Sequence, residues 1–131
     1  MFYLMRADEL AALPAELIDV QLYTHRHRTP RDRDLFLKEI TDNRASLRRA
    51  LGKERRLDQF CYPFGDYVLD HVPWLELAGV EFAFTCDRGL ASARSNRMLL
   101  PRVMVTSALT SLKLEAWLTG ALELLPLRRS K

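Results

Sequence analysis

The chain has 131 residues, of which 48% are hydrophobic and 28% charged, and its formal net charge is +3. This length supports one hydrophobic core and is too short for two. No apolar run approaches the ~20 residues of a membrane span, and the first residues lack the basic start and long apolar stretch of a signal peptide. We therefore expect a cytoplasmic protein with no membrane partner.

Basic residues cluster in three places, but no aromatic stacking platform accompanies them, so nucleic acid is not an expected partner. The clusters are Arg26, Arg28, Arg31 and Arg33; Arg48, Arg49, Lys53, Arg55 and Arg56; and Arg128, Arg129 and Lys131. The second cluster stands at a predicted helix end, where cations offset the helix dipole. Cys61 and Cys86 are too few and too far apart for a zinc motif of their own, and we interpret them as reduced core thiols.

The first half of the chain alternates helix and strand patterns. Asp8 can cap a short helix over residues 9–15, and an apolar strand follows over residues 18–24. Thr29-Pro30-Arg31-Asp32 has the N-cap, first-position proline and acid that are typical of a helix start. A long helix ended by Gly52 is predicted by the stripe Phe36, Ile40, Leu47 and Leu51.

The second half continues the same alternation. A strand over residues 59–62 leads into a turn and a helix over residues 69–78, and a second strand, over residues 80–86, is predicted to be buried on both faces. A further strand follows over residues 99–106, and the apolar stripe of the last helix runs from residue 114 to residue 125. Trp74 and Trp117 are expected to fill the core. The pattern predicts an α/β fold with an open, parallel-stranded sheet and flanking helices, in a single domain over residues 1–131.

Two of the three histidines, His25 and His27, follow the strand over residues 18–24. Residues two apart on a strand share a face, so both could project from the carboxyl end, where parallel α/β proteins gather their chemistry. They could form a metal or catalytic pair. Alternatively, because Arg26 and Arg28 alternate with them, the segment could be a solvated basic turn. The third histidine, His71, is expected at the surface of the middle helix.

Three motifs carry a family resemblance by their order and spacing. They are Tyr23-Thr24-His25-Arg26-His27, Phe60-Cys61-Tyr62-Pro63-Phe64-Gly65 and Leu99-Leu100-Pro101-Arg102-Val103. The first resembles the His-Thr-x-x-His motif of the NodB-like polysaccharide deacetylases, and the others resemble the Tyr-Pro-Tyr-Gly-like and Leu-Pro-Arg motifs of that family. The resemblance implies a (β/α) barrel of the polysaccharide deacetylase type, here a partial one, and a hydrolase that removes acetyl groups from sugars or amino sugars.

The resemblance also implies a divalent metal, zinc, held by one Asp and two His with an open position for water. His27 occupies the position of the second metal histidine, and His25 is the nearest substitute for the first. Tyr62-Pro63-Phe64 would line an acetyl-sugar pocket, or would be ordinary turn and core residues. Arg102 would orient a catalytic carboxylate, or would be a surface charge.

The chain also departs from the family pattern. Tyr23 replaces the first metal histidine, and a phenol with a reference pKa of about 10 is a poor zinc ligand near neutral pH. No adjacent Asp pair precedes the histidines, so the resemblance covers about the C-terminal two-thirds of the family domain. We therefore expect weak or no zinc binding, and background hydrolysis by this chain alone. The sequence leaves open a truncated or degenerate deacetylase and a non-catalytic remnant that binds a saccharide or a protein.

About four strands cannot close a barrel, so two sheet edges should remain. We expect these edges to be the His25 strand and the strand over residues 99–106. Exposed edges would allow pairing with a second copy of the chain, so a homo-oligomer is an expected assembly.

Overall fold

The computed structural model describes residues 5–121, in which helices alternate with short strands. The helices are α1 (Ala7–Ala11), α2 (Arg33–Leu51), α3 (His71–Leu77) and α4 (Ser111–Leu118), and the strands are β1 (Gln59–Cys61) and β2 (Phe82–Phe84). The end of the predicted last helix, beyond residue 121, lies outside the described residues. Within residues 5–121, every helix is too short or too polar to span a membrane.

The sheet is parallel and open, as predicted. β1 pairs with β2, with Phe60 opposite Ala83. One bridge joins Leu22 to Phe60 and another joins Phe84 to Leu100, both parallel, so the strand positions follow one another in chain order. The two segments expected at the edges lie at the edges. The part of the chain that the structure describes does not close this sheet, so the barrel that the motifs imply is not confirmed.

The edge strands are shorter than predicted, because each reduces to a single bridge. Next to the Leu22 bridge, the Gln21 side chain accepts hydrogen bonds from the backbone N–H groups of Asp58 and Gln59, at 3.1 and 3.0 Å. The Gln21 side chain thus bonds to backbone N–H groups that a longer strand ladder would pair with backbone carbonyls.

One face of the sheet holds the core. Leu22, Phe60 and Ala83 are buried on this face, and Phe36 and Ile40 of α2 and Leu75 of α3 are buried in the same cluster. The other face is only partly covered, since Phe82 is 43% exposed. The prediction that this strand is buried on both faces is therefore wrong: its residues alternate between the core and a half-open face.

The tryptophans differ in their surroundings. Trp74 packs against the core, as predicted. Trp117 is only half-buried and lies apart from the core, where the guanidinium of Arg88 lies over one face of its ring. The expectation that Trp117 fills the core is therefore wrong.

Helix α2 begins later than the sequence predicts. Asp32, not Thr29, is the N-cap, and its carboxylate accepts a hydrogen bond from the Leu35 N–H at 2.9 Å. The Thr29 hydroxyl instead donates to Asp66 at 2.8 Å, which removes it as a cap. The helix ends at Gly52, as predicted; its φ of 97° suits a residue without a Cβ. At the other predicted helix start, Arg6 replaces Asp8 as the cap of α1.

Candidate functional site

The chain turns immediately after the Leu22 bridge, and this turn decides where the histidines lie. Residues 25 and 26 form a turn, and His27 has a φ of 57°, in the left-handed region. The Thr24 hydroxyl accepts a hydrogen bond from the Arg28 N–H at 3.1 Å, which closes the turn. His25 and His27 therefore do not alternate along an extended strand. The prediction that they share a strand face is wrong, because the extended backbone ends before either residue.

A buried carboxylate on α2 holds this turn. Glu39 accepts the Arg26 N–H at 2.7 Å, the Arg26 guanidinium at 3.2 Å and the Arg28 guanidinium at 2.9 Å. Only 1% of its side chain is exposed. Burial alone would raise the pKa of Glu39, but the hydrogen bonds from Arg28 and Arg26 outweigh it and hold the pKa below its usual value.

Glu39 lies outside the three motifs of the sequence. A signal was present, because Glu39 stands three residues after Phe36 and next to Ile40, on the buried side of the helical stripe. An acid at such a position needs a cationic or hydrogen-bonding partner. Arg26 and Arg28, the residues that made a solvated turn an alternative, supply it.

Three rings meet beyond the turn. The His27 ring lies 4.5 Å from the Phe64 ring, edge to face, and 5.3 Å from the Tyr23 ring. The Tyr23 N–H donates to the Asn43 side chain at 3.0 Å, which ties this residue to α2. Burial, and next the neighbouring Cys61 thiol, raise the pKa of Tyr23, so its phenol is neutral near pH 7. The ring contacts group His27 with Tyr23, the two positions that the motif alignment equates with metal histidines. No ring or hydrogen-bond contact of the His25 side chain is seen within residues 5–121.

The turn after β1 brings Phe64 to this cluster. Pro63–Gly65 form a 3-10 turn in which Phe64 has a φ of 55° and is 80% exposed. Pro63 and Tyr62 are buried. A Cβ on Gly65 would lie 2.6 Å from the Cys86 Cβ, so the turn packs directly on the chain that leaves β2. Of the three predicted pocket residues, Phe64 alone faces solvent.

Tyr62 is a core residue. Its ring contacts Phe60 at 5.2 Å and Tyr67 at 5.4 Å, and it is fully buried. Burial raises the pKa of Tyr62 far above its usual value. Its hydroxyl has no hydrogen-bond partner in the described part of the chain. The burial of Tyr62 and Pro63 favours the reading of these residues as turn and core residues over their reading as pocket-lining residues.

Arg102 lies at the same end of the sheet. Its guanidinium is 4.8 Å from the centre of the Phe84 ring. Burial raises the pKa of Cys61, and the positive charge of Arg102 opposes that rise. The Arg102 N–H donates to the Asp87 carbonyl at 2.8 Å. No carboxylate forms an ion pair with Arg102 within residues 5–121. Cys61 and Cys86 are free, half-buried thiols.

His71 is not a surface residue. It is fully buried, and its ring stacks on Phe36 at 4.2 Å with only 5° between the planes. The Val68 N–H donates to its Nδ1 at 3.2 Å, and its Nε2 donates to the Pro30 carbonyl at 2.9 Å. Burial lowers the pKa of His71 despite the bond to Pro30, so the ring is neutral near pH 7. The sequence expectation failed because His71 is the inward-facing polar residue at the start of α3.

The side chains at the turn do not match a metal centre with three protein ligands. In residues 5–121, no three His, Cys, Asp or Glu side chains come together in a group that could hold a metal ion. His27 has rings beside it in place of a second and third ligand. The residues described therefore do not fit the Asp-His-His set that the resemblance implies.

Comparisons with known proteins agree with the fold. No family model and no curated protein matches the chain. The structure is similar to that of the Streptococcus pyogenes deacetylase PplD in complex with acetate, with a TM-score of 0.66 and 20% identity over 74% of this chain and 43% of that chain. It is also similar to a de-N-acetylase from Aggregatibacter actinomycetemcomitans, with a TM-score of 0.55 and 12% identity over 65% of this chain and 31% of that chain. This chain thus spans less than half the length of either protein, and the described residues share part of the fold of these two proteins.

Proposed function

We propose that this chain is a polysaccharide deacetylase-like domain that binds acetylated saccharides at the carboxyl ends of its strands. The observation that carries the proposal is the convergence of Phe64, His27 and Tyr23 at the carboxyl end of the sheet, the end where Arg102 also lies. Carboxyl ends of parallel strands are the usual place for ligands in open α/β sheets. The similarity to two proteins named as deacetylases supports acetylated sugars as the ligand class.

Each side chain offers a different contact to such a ligand. The exposed ring of Phe64 presents an apolar surface for a sugar face or an acetyl methyl group. The imidazole of His27 can donate or accept a hydrogen bond, and the Arg102 guanidinium donates only. Tyr23 supports the His27 ring from the other side. An apolar platform with a few polar groups around it is typical of small-ligand sites.

Binding is the function we assign to residues 5–121. Metal-assisted deacetylation needs a bound metal to polarise the acetyl carbonyl and a base to activate water. The described residues contain neither a three-ligand group nor an adjacent Asp pair. A deacetylase remains the second candidate function, because the fold is shared with deacetylases.

Titration of the ¹⁵N-labelled protein with tetra-N-acetylchitotetraose tests the binding proposal. We expect saturable shifts at residues around Phe64 and His27. Phe64→Ala should weaken binding about three- to tenfold, the range expected for loss of an aromatic contact. Phe82→Ala is the matched control, because Phe82 is also exposed but lies on the strand away from this turn. No saturable binding, or equal losses in both variants, would contradict the proposal.

Hydrolysis of the same oligosaccharide separates the two functions. We expect acetate release at background. Turnover that disappears in His27→Ala would instead establish a deacetylase with a base outside the residues discussed above.

A further inference from the structure

A cavity lies among the segments that follow β2 and the Leu100 bridge, and its chemical character differs from that of the candidate site. Its volume is about 330 Å³, and it is formed by the loop after β2, the segment after Leu100 and one side of α4. Both the loop and the segment leave the carboxyl ends of their strand positions, which is the end where Arg102 lies. A volume near 300 Å³ is at the lower end for small-ligand sites and suits a compact, ring-sized ligand.

Within residues 5–121, two cations line this cavity and no acid does. They are Arg88 and Lys113, both exposed. Neither forms an ion pair with a carboxylate within residues 5–121, whereas Arg26 and Arg28 in the histidine turn both do. Unpaired cations around one concave surface favour an anionic ligand, and Arg88 can bind a carboxylate through two parallel hydrogen bonds.

The remaining wall is apolar and includes an aromatic ring. Trp117 is half-buried, and the Arg88 guanidinium lies 4.6 Å from its ring centre. Met104, 53% exposed, and Leu109 line the same cavity. An indole beside aliphatic side chains offers a flat apolar surface, which suits the face of a sugar ring.

We propose that this cavity binds a carboxylated sugar, a uronic acid residue adjacent to the acetylated sugar. The inference rests on the proposed function, because it places the acidic sugar on the same chain as the ring bound at Phe64. The carboxylate contacts Arg88 and Lys113, and the sugar face contacts Trp117. The ligand that spans both places is therefore an acidic polysaccharide that alternates acetylated and carboxylated residues.

A pair of oligosaccharides of equal length tests this inference. One is a hyaluronan tetrasaccharide, which alternates N-acetylglucosamine and glucuronate, and the other is neutral tetra-N-acetylchitotetraose. Calorimetric titration of the full chain at low and moderate salt should show about tenfold tighter binding of the acidic tetrasaccharide, and this preference should shrink as salt rises.

Substitutions in the cavity test whether it causes the preference for the acidic tetrasaccharide. Arg88→Gln combined with Lys113→Gln should reduce the affinity for the acidic tetrasaccharide to that for the neutral one and leave the neutral affinity unchanged. Trp117→Phe should weaken the acidic ligand only, and circular dichroism checks that each variant is folded. Arg48→Gln combined with Lys53→Gln is the charge-matched control, because these cations lie at the far end of α2.

The outcomes separate the two proposals. Neutral binding that is lost in Phe64→Ala, with no preference for the acidic tetrasaccharide, overturns the uronate site and leaves the proposed function standing. An acidic preference that survives the Arg88 and Lys113 changes, or that the control pair abolishes, also overturns the uronate site. Failure of both oligosaccharides to bind overturns the proposed function and the inference together.

Discussion

Replacing Glu39 with Gln should loosen the histidine turn at a measurable cost in stability. The substitution keeps the shape of the side chain and removes its charge. A hydrogen bond to a charged group contributes about 1.5–3 kcal/mol and a neutral one about 0.5–1.5 kcal/mol, so the bond from the Arg26 N–H weakens by about 1 kcal/mol. The Gln amide nitrogen cannot accept from Arg28, so the second carboxylate oxygen also loses its bonds.

The total loss of unfolding free energy in Glu39→Gln should be smaller than the loss from breaking a fully buried ion pair. The Arg26 and Arg28 side chains are 44% and 59% exposed, so water solvates their guanidinium groups when Glu39 loses its charge. We expect a loss of about 2 kcal/mol from an unfolding free energy that is typically 5–15 kcal/mol. Urea unfolding followed by tryptophan fluorescence measures it, and faster amide exchange at Arg26 would locate the effect.

The pH dependence makes this prediction sharper. Because the folded pKa of Glu39 lies below its usual value, its stabilising contribution is complete above the usual pKa and is lost as the pH falls through the folded value. The difference in unfolding free energy between the wild type and Glu39→Gln should therefore become smaller at acidic pH. Glu76→Gln, on the exposed side of α3, is the control and should leave the urea midpoint unchanged. A Glu39→Gln protein with wild-type stability at pH 7 would refute the role assigned to this carboxylate.

Three further substitutions test other parts of the structure. Tyr23→His should strengthen zinc binding over the weak affinity expected of the wild type, because it places a second imidazole beside His27. Adding His27→Gln should remove this gain in affinity. No gain in affinity from Tyr23→His would contradict the motif alignment. The unfolding free energy should fall as the pH drops below about 6.5, because the pKa of His71 is lowered in the folded state and only the unfolded chain takes up a proton there. His71→Phe should remove this dependence of the unfolding free energy on pH. A dependence that persists in the variant would contradict its assignment to His71. Gly65→Ala should destabilise the protein by more than about 1 kcal/mol, because a Cβ there meets Cys86. Gly79 has a similar φ and open space around it, so Gly79→Ala should lower the unfolding free energy by less. Equal losses of unfolding free energy in the two variants would refute the contact with Cys86.

Patterns that depend on neighbours in sequence predicted the fold well. The stripe from Phe36 to Leu51 predicted α2, and Gly52 ends the helix as expected. The alternation of helix and strand predicted the parallel, open sheet and its two edges. These features follow from local periodicity, because each core face is set by spacing along the chain.

Features that depend on contacts between distant segments could not be predicted in this way. The histidine turn is set by Glu39, 13 residues from Arg26. His71 can be buried because its Nε2–H donates a hydrogen bond to the Pro30 carbonyl, 41 residues away. The rule that residues two apart share a strand face holds for residues 25 and 27 only if the strand continues through them. The rule fails here because a side chain from another element, Glu39 of α2, holds the chain in a turn.

The family-like motifs mix residues that shape the fold with residues that face a ligand. Thr24 closes the histidine turn through its hydroxyl, and Tyr62 is buried in the core. Gly65 is required where the turn packs on Cys86. From these two motifs, Tyr23, His27 and Phe64 meet in the ring cluster beyond the turn. A chain that had lost catalysis would still need the first group in order to fold, so the motifs by themselves support a shared architecture. Evidence for chemistry must come from the exposed residues, which is why the experiments above change Phe64 and His27.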